Sequence, residues 1–543
     1  MRTLGVYLAE LLEAYGVDTV FGIPGVHTVE LYRGLPLTRI RHVTPRHEQG
    51  AGFMADGYSR VTGKPGVCLL ITGPGLTNAA TAMAQAYADS IPMLVITGVN
   101  AEGRMGSGRG WLHELKDQRA FAEQISATST TIHTREDLDE AIAKAFALFA
   151  TKRPRPVHIE IPTNVMRMKV DAAIKAERRA LPAKISSEND RILNAAQLLN
   201  HAQSPLILVG GGAIDAAASI ETLAGRLDAP VVMTVNGRGI LPSDHALALP
   251  FNPSLQALRD VMAQSDVTLA IGTEFGPTDY DWYEDGGFTI PGHLIRIDLD
   301  DAQIDRGRVA DTKLIGDAKL CVDALLNHVE PTPSRSTASR VKEIRLRVER
   351  EELTPLYRAG LHLLESVKKT LPHAIIVGDS TQATYAASVA YAPDAPRRFF
   401  GSMTGFGTLG YALPAAIGAR IGADHPVVSV IGDGGLQFTI AEIGSAVEER
   451  VPIIILVWNN QGYGEIKNFM ISREIQPQGV EIGAPDLCAI ARAYGAHAER
   501  LSKADDLPHL LREAASRNGP TLIDIDEARF VDEVINNSSA MSA

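Results

Sequence analysis

Two short polar runs in the sequence carry residue types that could bind a metal ion together with a diphosphate. A Gly-Asp-Gly run at 432–434 and an Asn-Asn pair at 459–460 each follow an apolar run. Carboxylate and amide oxygens are ligands that Mg²⁺ accepts, and glycine amides can closely face a phosphate. Asp433 and Asn460 are therefore the first candidates for a Mg²⁺-diphosphate site, although either pair alone is also common in ordinary turns.

The elements that must position these two residues are neighbouring strands of a parallel sheet. Residues 427–431 and 453–457 are uninterrupted apolar runs, which are typical of strands buried on both faces, and the stretch between them predicts one crossover helix. Right-handed crossovers bring the carboxyl ends of neighbouring strands to one edge of the sheet. We therefore predict that Asp433 and Asn460 meet in space.

Charge and composition narrow the class of ligand. The 52 Lys and Arg residues against 64 Asp and Glu residues give a formal charge of −12, which argues against nucleic acid and against an anionic membrane as partners. No apolar run approaches the ~20 residues of a membrane span, and the first residues show no cleavable signal pattern. Cys68, Cys321 and Cys488 lie far apart in apolar surroundings, as reduced core cysteines do. We predict a cytoplasmic protein, and the charge balance does not identify its substrate.

A faint internal repeat predicts the domain organisation. Six residues recur at a constant offset of 360 (427 − 67): Val67, Ile71, Gly75, Leu76, Ala86 and Pro92 match Val427, Ile431, Gly435, Leu436, Ala446 and Pro452. This suggests two domains of one fold, although two α/β domains can share such spacing by chance. Pro-, Ser- and charge-rich stretches at 170–187 and 328–340 predict linkers. The predicted fold class is α/β, with three doubly wound parallel-sheet domains at 1–170, 187–328 and 345–530.

With these motifs the sequence resembles the thiamine diphosphate-dependent enzymes, and more narrowly the acetolactate synthase and 2-oxo acid decarboxylase family, from about residue 3 to about residue 527. The resemblance implies thiamine diphosphate as cofactor, with Mg²⁺ held by Asp433, Asn460 and the backbone carbonyl of Gly462, and the diphosphate beside Gly434 and Gly435. It implies the domain order pyrimidine-binding (PYR), central and diphosphate-binding (PP). In this family the PYR domain of one subunit completes the site of another, so a homodimer is implied at minimum, and a homotetramer is common.

Two further cofactor contacts are implied by the resemblance. Glu48, in the Arg-His-Glu-Gln-Gly-Ala motif at 46–51, would hydrogen-bond the aminopyrimidine ring and favour the imino tautomer that removes the thiazolium C2 proton. Leu409, in a glycine-rich run with Gly407, would hold the cofactor in its bent form, which orients the reacting groups. Taken alone, a glutamate near a helix N-terminus is usually a partner of the helix dipole, and a leucine among glycines is usually a core residue.

Polar residues in three loops complete the predicted site. Ser380 and Gln382 follow the apolar run 374–377, where polar groups at a strand end can meet the diphosphate. His27 lies in the loop after the first strand, and His113 lies where related enzymes carry glutamine or histidine. Both are candidates for substrate contact and for proton donation or acceptance, a role that the pKa of histidine suits. A loop histidine without a visible partner is more often a surface residue.

The sequence departs from the acetolactate synthases in the central segment. These synthases bind FAD there through a Gly-x-Arg-Phe-Asp-Asp run, which reads Gly-Thr-Glu-Phe-Gly-Pro at 272–277, and they carry a Gly-Met-His-Gly run that has no counterpart after 236–239. A glutamate in place of the arginine removes a cationic partner for the phosphates of FAD. We therefore do not expect FAD, although a Gly-Gly-Gly run remains at 210–212.

Acidic and aromatic residues replace those features. The run at 278–285 contains three aspartates, a glutamate, two tyrosines and a tryptophan, which could form a solvated face or attract a cation. Glu465, three residues beyond Gly462, is placed to pair with a guanidinium on the substrate, to which nearby aromatic rings would add cation–π attraction. With these features the sequence most resembles 5-guanidino-2-oxopentanoate decarboxylases, which act on transaminated arginine.

The predicted activity is thiamine diphosphate- and Mg²⁺-dependent, non-oxidative decarboxylation of a 2-oxo acid to an aldehyde and CO₂, with 5-guanidino-2-oxopentanoate as the favoured substrate. The first alternative is a carboligase, either acetolactate synthase-like or an aldehyde lyase, which passes the enamine to a second carbonyl group instead of to a proton. The second is a catalytically silent, cofactor-binding regulatory protein. The presence of Glu48, Asp433 and Asn460 argues against the second alternative.

Overall fold

The protein contains three six-stranded parallel sheets, each covered by helices. The computed structural model describes residues 2–282, 284–483 and 485–542, and it describes side chains as far as residue 536. This architecture confirms the predicted fold class. The strands of the first sheet are β1 (Thr19–Phe21), β2 (Arg41–Val43), β3 (Gly66–Leu70), β4 (Met93–Val99), β5 (Thr128–Thr131) and β6 (Val157–Pro162). They lie in the order β2-β1-β3-β4-β6-β5.

The third sheet repeats the strand order of the first, whereas the central sheet does not. The central sheet contains β7 (Pro205–Val209), β8 (Val231–Met233), β9 (Ala248–Leu249), β10 (Val267–Ile271), β11 (His293–Asp298) and β12 (Thr312–Ile315), in the order β12-β11-β10-β7-β8-β9. The third contains β13 (Ile375–Gly378), β14 (Phe399–Gly401), β15 (Val427–Gly432), β16 (Ile453–Asn459), β17 (His497–Arg500) and β18 (Thr521–Asp526), in the order β14-β13-β15-β16-β18-β17. The two outer domains therefore share one topology, in agreement with the internal repeat.

Helices connect the strands and cover both faces of each sheet, as parallel strands require. Around the first sheet lie α1 (Leu4–Ala14), α2 (Val29–Tyr32), α3 (Glu48–Thr62), α4 (Pro74–Ala88), α5 (Gln118–Glu123), α6 (Arg135–Thr151) and α7 (Thr163–Met166). The central helices are α8 (Asn189–His201), α9 (Ala217–Leu227), α10 (Gln256–Ala263), α11 (Pro277–Tyr280), α12 (Ala318–Leu326) and α13 (Thr337–Arg347). Then follow α14 (Pro355–Thr370), α15 (Gln382–Ala390), α16 (Ala412–Gly422), α17 (Asp433–Thr439), α18 (Glu442–Glu448), α19 (Gly464–Ser472), α20 (Leu487–Ala493), α21 (Leu507–Ser516) and α22 (Glu527–Ser542). No helix in the described part of the chain is long and apolar enough to cross a membrane.

The register of the third sheet places four strand ends at one edge. Gly378 of β13 pairs with Val430 of β15, and Gly432 of β15 pairs with Trp458 of β16. At the next position of β16, Asn459 pairs with Asp526 of β18. The residues that follow these strands, at 379, 433, 460 and 527, therefore meet at the carboxyl edge of the sheet, which is where open α/β sheets bind ligands.

Two sequence expectations need correction. The stretch between β15 and β16 contains two short helices, α17 and α18, instead of one crossover helix. The first helix ends at Thr439, whose side-chain hydroxyl donates to the carbonyl of Gly410. The predicted linker at 328–340 contains the start of α13, and Arg345 of this helix donates to the carbonyl of Ala248 in β9, so α13 packs on the central domain.

The two outer domains pack directly against each other through α3 and α16. A Cβ atom on Gly57 would clash with the carbonyl oxygen of Ala415, and one on Gly418 would clash with that of Met54. Only glycine allows two helix backbones to approach this closely. The helix that begins at Glu48 is therefore held against the PP domain of the same chain.

A buried charge network reinforces this interface. Arg60 of α3 pairs with Asp56 and Asp89, both at 2.6 Å, and Tyr411, which precedes α16, donates to Asp56. All of these groups are buried, and the guanidinium also lies over the Tyr411 ring. Since removing one partner would leave a buried charge unpaired, the network holds the two domains in one arrangement.

Candidate active site

The two predicted ligands at the ends of β15 and β16 lie side by side. Asp433 begins α17, and its Oδ1 accepts a hydrogen bond from the backbone N–H of Asn460 at 3.2 Å. Asp433 Oδ2 and Asn460 Oδ1 are both buried and have no hydrogen-bond partner among the described residues. An unpaired buried polar atom costs free energy, so two such acceptors on adjoining segments fit a bound cation. The predicted meeting of Asp433 and Asn460 is thus confirmed, while Mg²⁺ ligation itself stays a prediction.

The third predicted ligand lies at the same place. The carbonyl oxygen of Gly462 lies 3.4 Å from the position of a Cβ atom built on Gly434, next to Asp433. Within the described part of the chain, no group of three or more His, Cys, Asp or Glu side chains could hold a metal. The predicted ligand set does not need one, because it combines one carboxylate, one amide and one backbone carbonyl, all of which are oxygen donors suited to Mg²⁺.

A glutamate that sequence reasoning missed holds the Asn460 side chain in place. Glu527 begins α22, directly after β18, and its Oε2 accepts a hydrogen bond from Asn460 Nδ2 at 3.1 Å. This bond fixes the nitrogen end of the amide, so that Oδ1 is the end left free. Burial raises the pKa of Glu527, and the hydrogen bond from Asn460 opposes that rise. The sequence signal that could have identified Glu527 is its position directly after the run that forms β18, the same kind of position that identified Asp433 and Asn460.

Gln382 joins the same group of polar side chains. Its amide lies 3.3 Å from Asn460 Nδ2 and 3.4 Å from Glu465 Oε2. When the amide is turned so that its nitrogen faces Glu527, two hydrogen bonds of 2.6 and 3.1 Å form. Gln382 is therefore brought to the predicted metal ligands, as its place after β13 suggested.

Asp379 anchors the loop that carries the predicted cofactor contacts Gly407 and Leu409. Its buried carboxylate accepts backbone N–H groups from Ser380 at 2.9 Å, Gly410 at 3.2 Å and Ala412 at 3.0 Å. Burial raises the pKa of Asp379 to about 6, and these donors oppose the rise. No role was assigned to Asp379 from the sequence, because its role depends on a loop about thirty residues away.

The other predicted cofactor contacts differ in exposure. Leu409 is half-buried, whereas Gly407 is exposed and has a φ of +69°, a left-handed conformation that glycine adopts without strain. Gly435 approaches Asp379 closely, with a built Cβ 3.1 Å from Asp379 Oδ1. Ser380 is half-buried beside Ser402, with 3.4 Å between the two hydroxyl oxygens. All of these residues lie at or near the carboxyl edge of the third sheet.

Glu48 lies in the first domain, whereas the predicted metal ligands lie in the third. It is the first residue of α3, as predicted, it is half-buried, and its Oε2 accepts a hydrogen bond from Asn78 Nδ2 at 2.9 Å. The preceding backbone is held by Glu442 of α18, which accepts the N–H groups of Arg46 and His47 at 3.0 Å. No hydrogen bond between described residues joins Glu48 to Asp433 or Asn460.

The two candidate histidines meet within the PYR domain. The rings of His27 and His113 are 5.5 Å apart between centroids and inclined by 65°. Burial lowers the pKa of His27, with an opposing contribution from a hydrogen bond to Asn100 and a smaller further lowering from His113. His27 is therefore neutral at pH 7, and its buried Nδ1 has no partner among the described residues. Neutral imidazole can accept or relay a proton, which keeps the predicted role open.

Glu465 and the acidic run have different surroundings. Glu465 is exposed, and no described lysine or arginine pairs with it. By contrast, Asp279 is half-buried, and desolvation of its carboxylate raises its pKa to about 6. Asp281 and Asp285 both pair with Arg259, at 3.7 and 2.7 Å. Of the two alternatives for this run, a solvated face fits only Glu284 and Asp285, which are exposed, whereas Asp279 and Asp281 are half-buried. Tyr283 lies outside the described residues.

The remaining glycine run of the central domain serves backbone packing. A Cβ atom on Gly212 would lie 3.0 Å from the Cα of Gly272, and the N–H of Gly212 donates to the Gly272 carbonyl at 3.1 Å. Glu274, at the position of the synthase arginine, pairs with Arg153 of the PYR domain at 2.6 Å. These residues are thus engaged with other parts of the chain.

Comparison with known proteins supplies the family. Three models of thiamine pyrophosphate enzymes match the chain: the N-terminal TPP binding domain at 2–121, the central domain at 192–325 and the C-terminal TPP binding domain at 379–525. A probable 2-ketoarginine decarboxylase of Pseudomonas aeruginosa is 43% identical, over 97% of this chain and 94% of its own. A probable acetolactate synthase large subunit of Methanocaldococcus jannaschii is 31% identical, over 95% of this chain and 90% of its own.

A solved structure has the same fold. A chain from Mycobacterium smegmatis, assigned to the thiamin diphosphate-dependent enzymes, superimposes with a TM-score of 0.81 at 23% identity. The match covers 97% of this chain and 99% of the other, so it includes all three domains.

Proposed function

Because the chain belongs to the thiamine pyrophosphate enzyme family, we propose that it catalyses the non-oxidative decarboxylation of 5-guanidino-2-oxopentanoate, with thiamine diphosphate and Mg²⁺. The observation that carries this proposal is the 43% identity, over nearly the whole chain, to a probable decarboxylase of 2-ketoarginine, which is the same 2-oxo acid. The bond between the carboxylate and the keto carbon breaks, and a proton takes the place of the carboxylate. The products are CO₂ and an aldehyde that keeps the guanidinium.

The residues at the carboxyl edge of the third sheet would hold the cofactor. Asp433, Asn460 and the carbonyl of Gly462 would bind Mg²⁺, which is supported by the two unpaired buried acceptors. The diphosphate would lie against a set of small and polar residues: Ser380, Gln382, Gly407, Gly434 and Gly435. When bound, thiamine diphosphate supplies the nucleophilic carbon and the electron sink that loss of CO₂ requires. FAD is left out of the proposal because Gly212 and Glu274 are engaged within the chain.

The complete site would need a second copy of the chain. Glu48 is half-buried and bonded to Asn78, and no described hydrogen bond joins it to the PP-domain edge. Phe406 and Phe438, which flank that edge, are each 53% exposed, so apolar surface is available for a second subunit to cover. We propose a homodimer at minimum, or a homotetramer, in which Glu48, His27 and His113 of one subunit face the PP domain of the other. Glu48 would exchange a proton with the cofactor ring, and Leu409 would support its bent form.

Glu465 would recognise the substrate tail. Its exposed carboxylate lies on α19, directly after the predicted metal ligands, and lacks a described cationic partner. Bidentate pairing with a guanidinium would use this charge, and a charge-assisted hydrogen bond contributes about 1.5–3 kcal/mol.

Release of CO₂ from four 2-oxo acids tests the proposal. We expect 5-guanidino-2-oxopentanoate to be preferred over pyruvate, 2-oxoisovalerate and benzoylformate. Glu465→Gln should lower kcat/KM for the guanidino acid about 10- to 100-fold and leave that for the other acids nearly unchanged. Glu474→Gln, an exposed glutamate just beyond α19, is the matched control. A preference for pyruvate or for an apolar acid would contradict the proposed substrate but not the decarboxylation.

Carboligation is the second candidate, because an acetolactate synthase subunit is 31% identical over 95% of this chain. Product analysis with and without an added acceptor aldehyde separates the two reactions. A decarboxylase yields the free aldehyde in both cases, whereas a carboligase yields a 2-hydroxy ketone when the acceptor is present.

A further inference from the structure

We propose that Trp282 and Tyr385 form the aromatic wall of a guanidinium-binding site whose anionic side is Glu465. This inference rests on the proposed function, and it assigns selectivity to a residue of the central domain. The three residues come from different parts of the chain, the segment after α11, helix α15 and helix α19. Tyr385 links them, because its ring contacts Trp282 and its hydroxyl experiences the charge of Glu465.

The two rings are in contact. The centroids of Trp282 and Tyr385 are 6.0 Å apart, and the rings are inclined by 53°. Both side chains are half-buried, so part of each ring surface is available to a ligand. Asp281, next to Trp282, is held by Arg259, which fixes the segment that presents the indole. The wall is therefore supported from the central domain.

Tyr385 connects this wall to the cofactor edge. It lies three residues after Gln382 on α15, hence on the same side of the helix. Burial and, to a smaller extent, the negative charge of Glu465 raise the pKa of Tyr385 to about 12, and the hydrogen bond with Ser380 opposes this rise. Gln382 in turn lies 3.4 Å from Glu465 and 3.3 Å from Asn460. The path from the predicted metal ligand to the indole is thus continuous.

The chemistry of this group suits a guanidinium. A planar cation can pair with a carboxylate through its edge while its face lies against an aromatic ring. In 5-guanidino-2-oxopentanoate, three methylene groups separate the keto carbon from the guanidinium, so the tail would run from the cofactor edge toward Glu465 and the rings. A substrate with an ammonium group could pair with the Glu465 carboxylate, but an ammonium is not planar and would stack less well on the rings. A substrate with an uncharged tail would form neither the ion pair nor the cation–π contact.

Steady-state kinetics of the holoenzyme tests the wall. We expect Trp282→Leu to lower kcat/KM for 5-guanidino-2-oxopentanoate about 5- to 10-fold, because a cation–π contact is lost. The kcat/KM for 2-oxohexanoate, whose straight-chain tail carries no charge, should stay within about twofold of the wild-type value. Trp282→Phe, which keeps a ring, should recover part of the loss, and Tyr385→Leu should act in the same direction as Trp282→Leu. The thermal midpoint of each holoenzyme variant reports whether the fold is kept.

The outcomes separate the wall from the substrate assignment. Equal losses for both acids would give Trp282 a structural role and overturn the wall, as would an unchanged preference in Trp282→Leu and Tyr385→Leu. A wild-type enzyme without preference for the guanidino acid would overturn the proposed substrate and the wall together. If Trp282→Leu does not fold, the other two variants decide the question. The ratio of kcat/KM for the guanidino acid to kcat/KM for 2-oxohexanoate should then fall in Tyr385→Leu and fall less in Trp282→Phe, and an unchanged ratio in both would overturn the wall.

Discussion

The two outer domains share one topology, yet the equivalent point of each sheet is built in opposite ways. At the offset of 360, Asp433 of the PP domain corresponds to Gly73 of the PYR domain. Asp433 Oδ2 is buried and unpaired among the described residues, whereas the N–H of Gly73 donates to Gln118 Oε1 at 3.0 Å. Gln118 Nε2 in turn donates to Thr97, to the carbonyl of Gly98 and to Glu160.

Backbone of the two histidine loops packs closely against the carboxyl edge of the first sheet. A Cβ atom on Gly73 would lie 2.6 Å from the carbonyl oxygen of His113, and one on Gly98 would lie 2.7 Å from that of His27. The backbone of the two histidine loops therefore lies against Gly73 and Gly98. At the equivalent point of the two sheets, the paired Gly73–Gln118 network fits a scaffold, whereas the unpaired Asp433 Oδ2 fits a binding site.

The largest expected effect comes from removing the unpaired carboxylate. Asp433→Asn should abolish decarboxylation at cofactor concentrations that saturate the wild type. Without cofactor, the variant should be at least as stable as the wild type, because a buried, incompletely paired charge is lost. Thermal unfolding with and without thiamine diphosphate and Mg²⁺ measures both effects, since binding raises the midpoint of the wild type. Asp424→Asn, at an exposed position, is the control; a cofactor-dependent rise in Asp433→Asn would contradict the ligand assignment.

Glu48→Gln should lower kcat about 10³-fold, because proton transfer by a positioned acid contributes about 10²–10⁴-fold. Cofactor affinity and thermal midpoint should change little, since the amide can keep the contact with Asn78. CO₂ release and cofactor titration give the two readouts, and Glu123→Gln, an exposed glutamate of the same domain, is the control. Full activity in Glu48→Gln would refute the role of this residue.

Glu527→Ala should weaken Mg²⁺ affinity about 10- to 100-fold, the usual effect of removing a residue that orients a ligand. Loss of the hydrogen bond to Asn460 Nδ2 frees the amide to rotate away from Asp433. The Mg²⁺ concentration for half-maximal activity and direct titration of Mg²⁺ both measure this change. Asp532→Ala, exposed on the same helix, should have no effect, and an unchanged Mg²⁺ affinity in Glu527→Ala would show that Asn460 is oriented by other contacts.

Gln118→Met in the PYR domain should have the smallest effect on cofactor affinity, and it should lower the free energy of unfolding instead. The substitution removes the partners of the Gly73 N–H and of Glu160 Oε2, although Glu160 Oε1 still accepts from Thr131, and the cost is about 1–3 kcal/mol for each buried group left unpaired. Denaturant unfolding should show a lower free energy of unfolding, while the cofactor affinity of the folded protein stays within a few-fold of wild type. A large loss of cofactor affinity at unchanged stability would remove the contrast between the two domains.

Much of the fold could be predicted because it depends on local signals. Runs such as 427–431 and 453–457 are apolar throughout, since strands of parallel sheets are buried on both faces, and the crossover rule then places their ends at one edge. Asp433 and Asn460 meet for this reason alone. The repeat at an offset of 360 likewise anticipated that the first and third sheets share one strand order.

The tertiary structure decided the surroundings of the side chains. Glu527 reaches Asn460 and Trp282 reaches Tyr385 across sheet edges and domain boundaries that no periodicity encodes. Asp279 is half-buried and accepts the N–H of Val235, although a run of acidic residues often forms a solvated face. The sequence by itself thus determined which residues end each strand, since strand burial and chain direction are local properties. Which of their polar atoms are paired and which stay open depends on the packing of segments hundreds of residues apart.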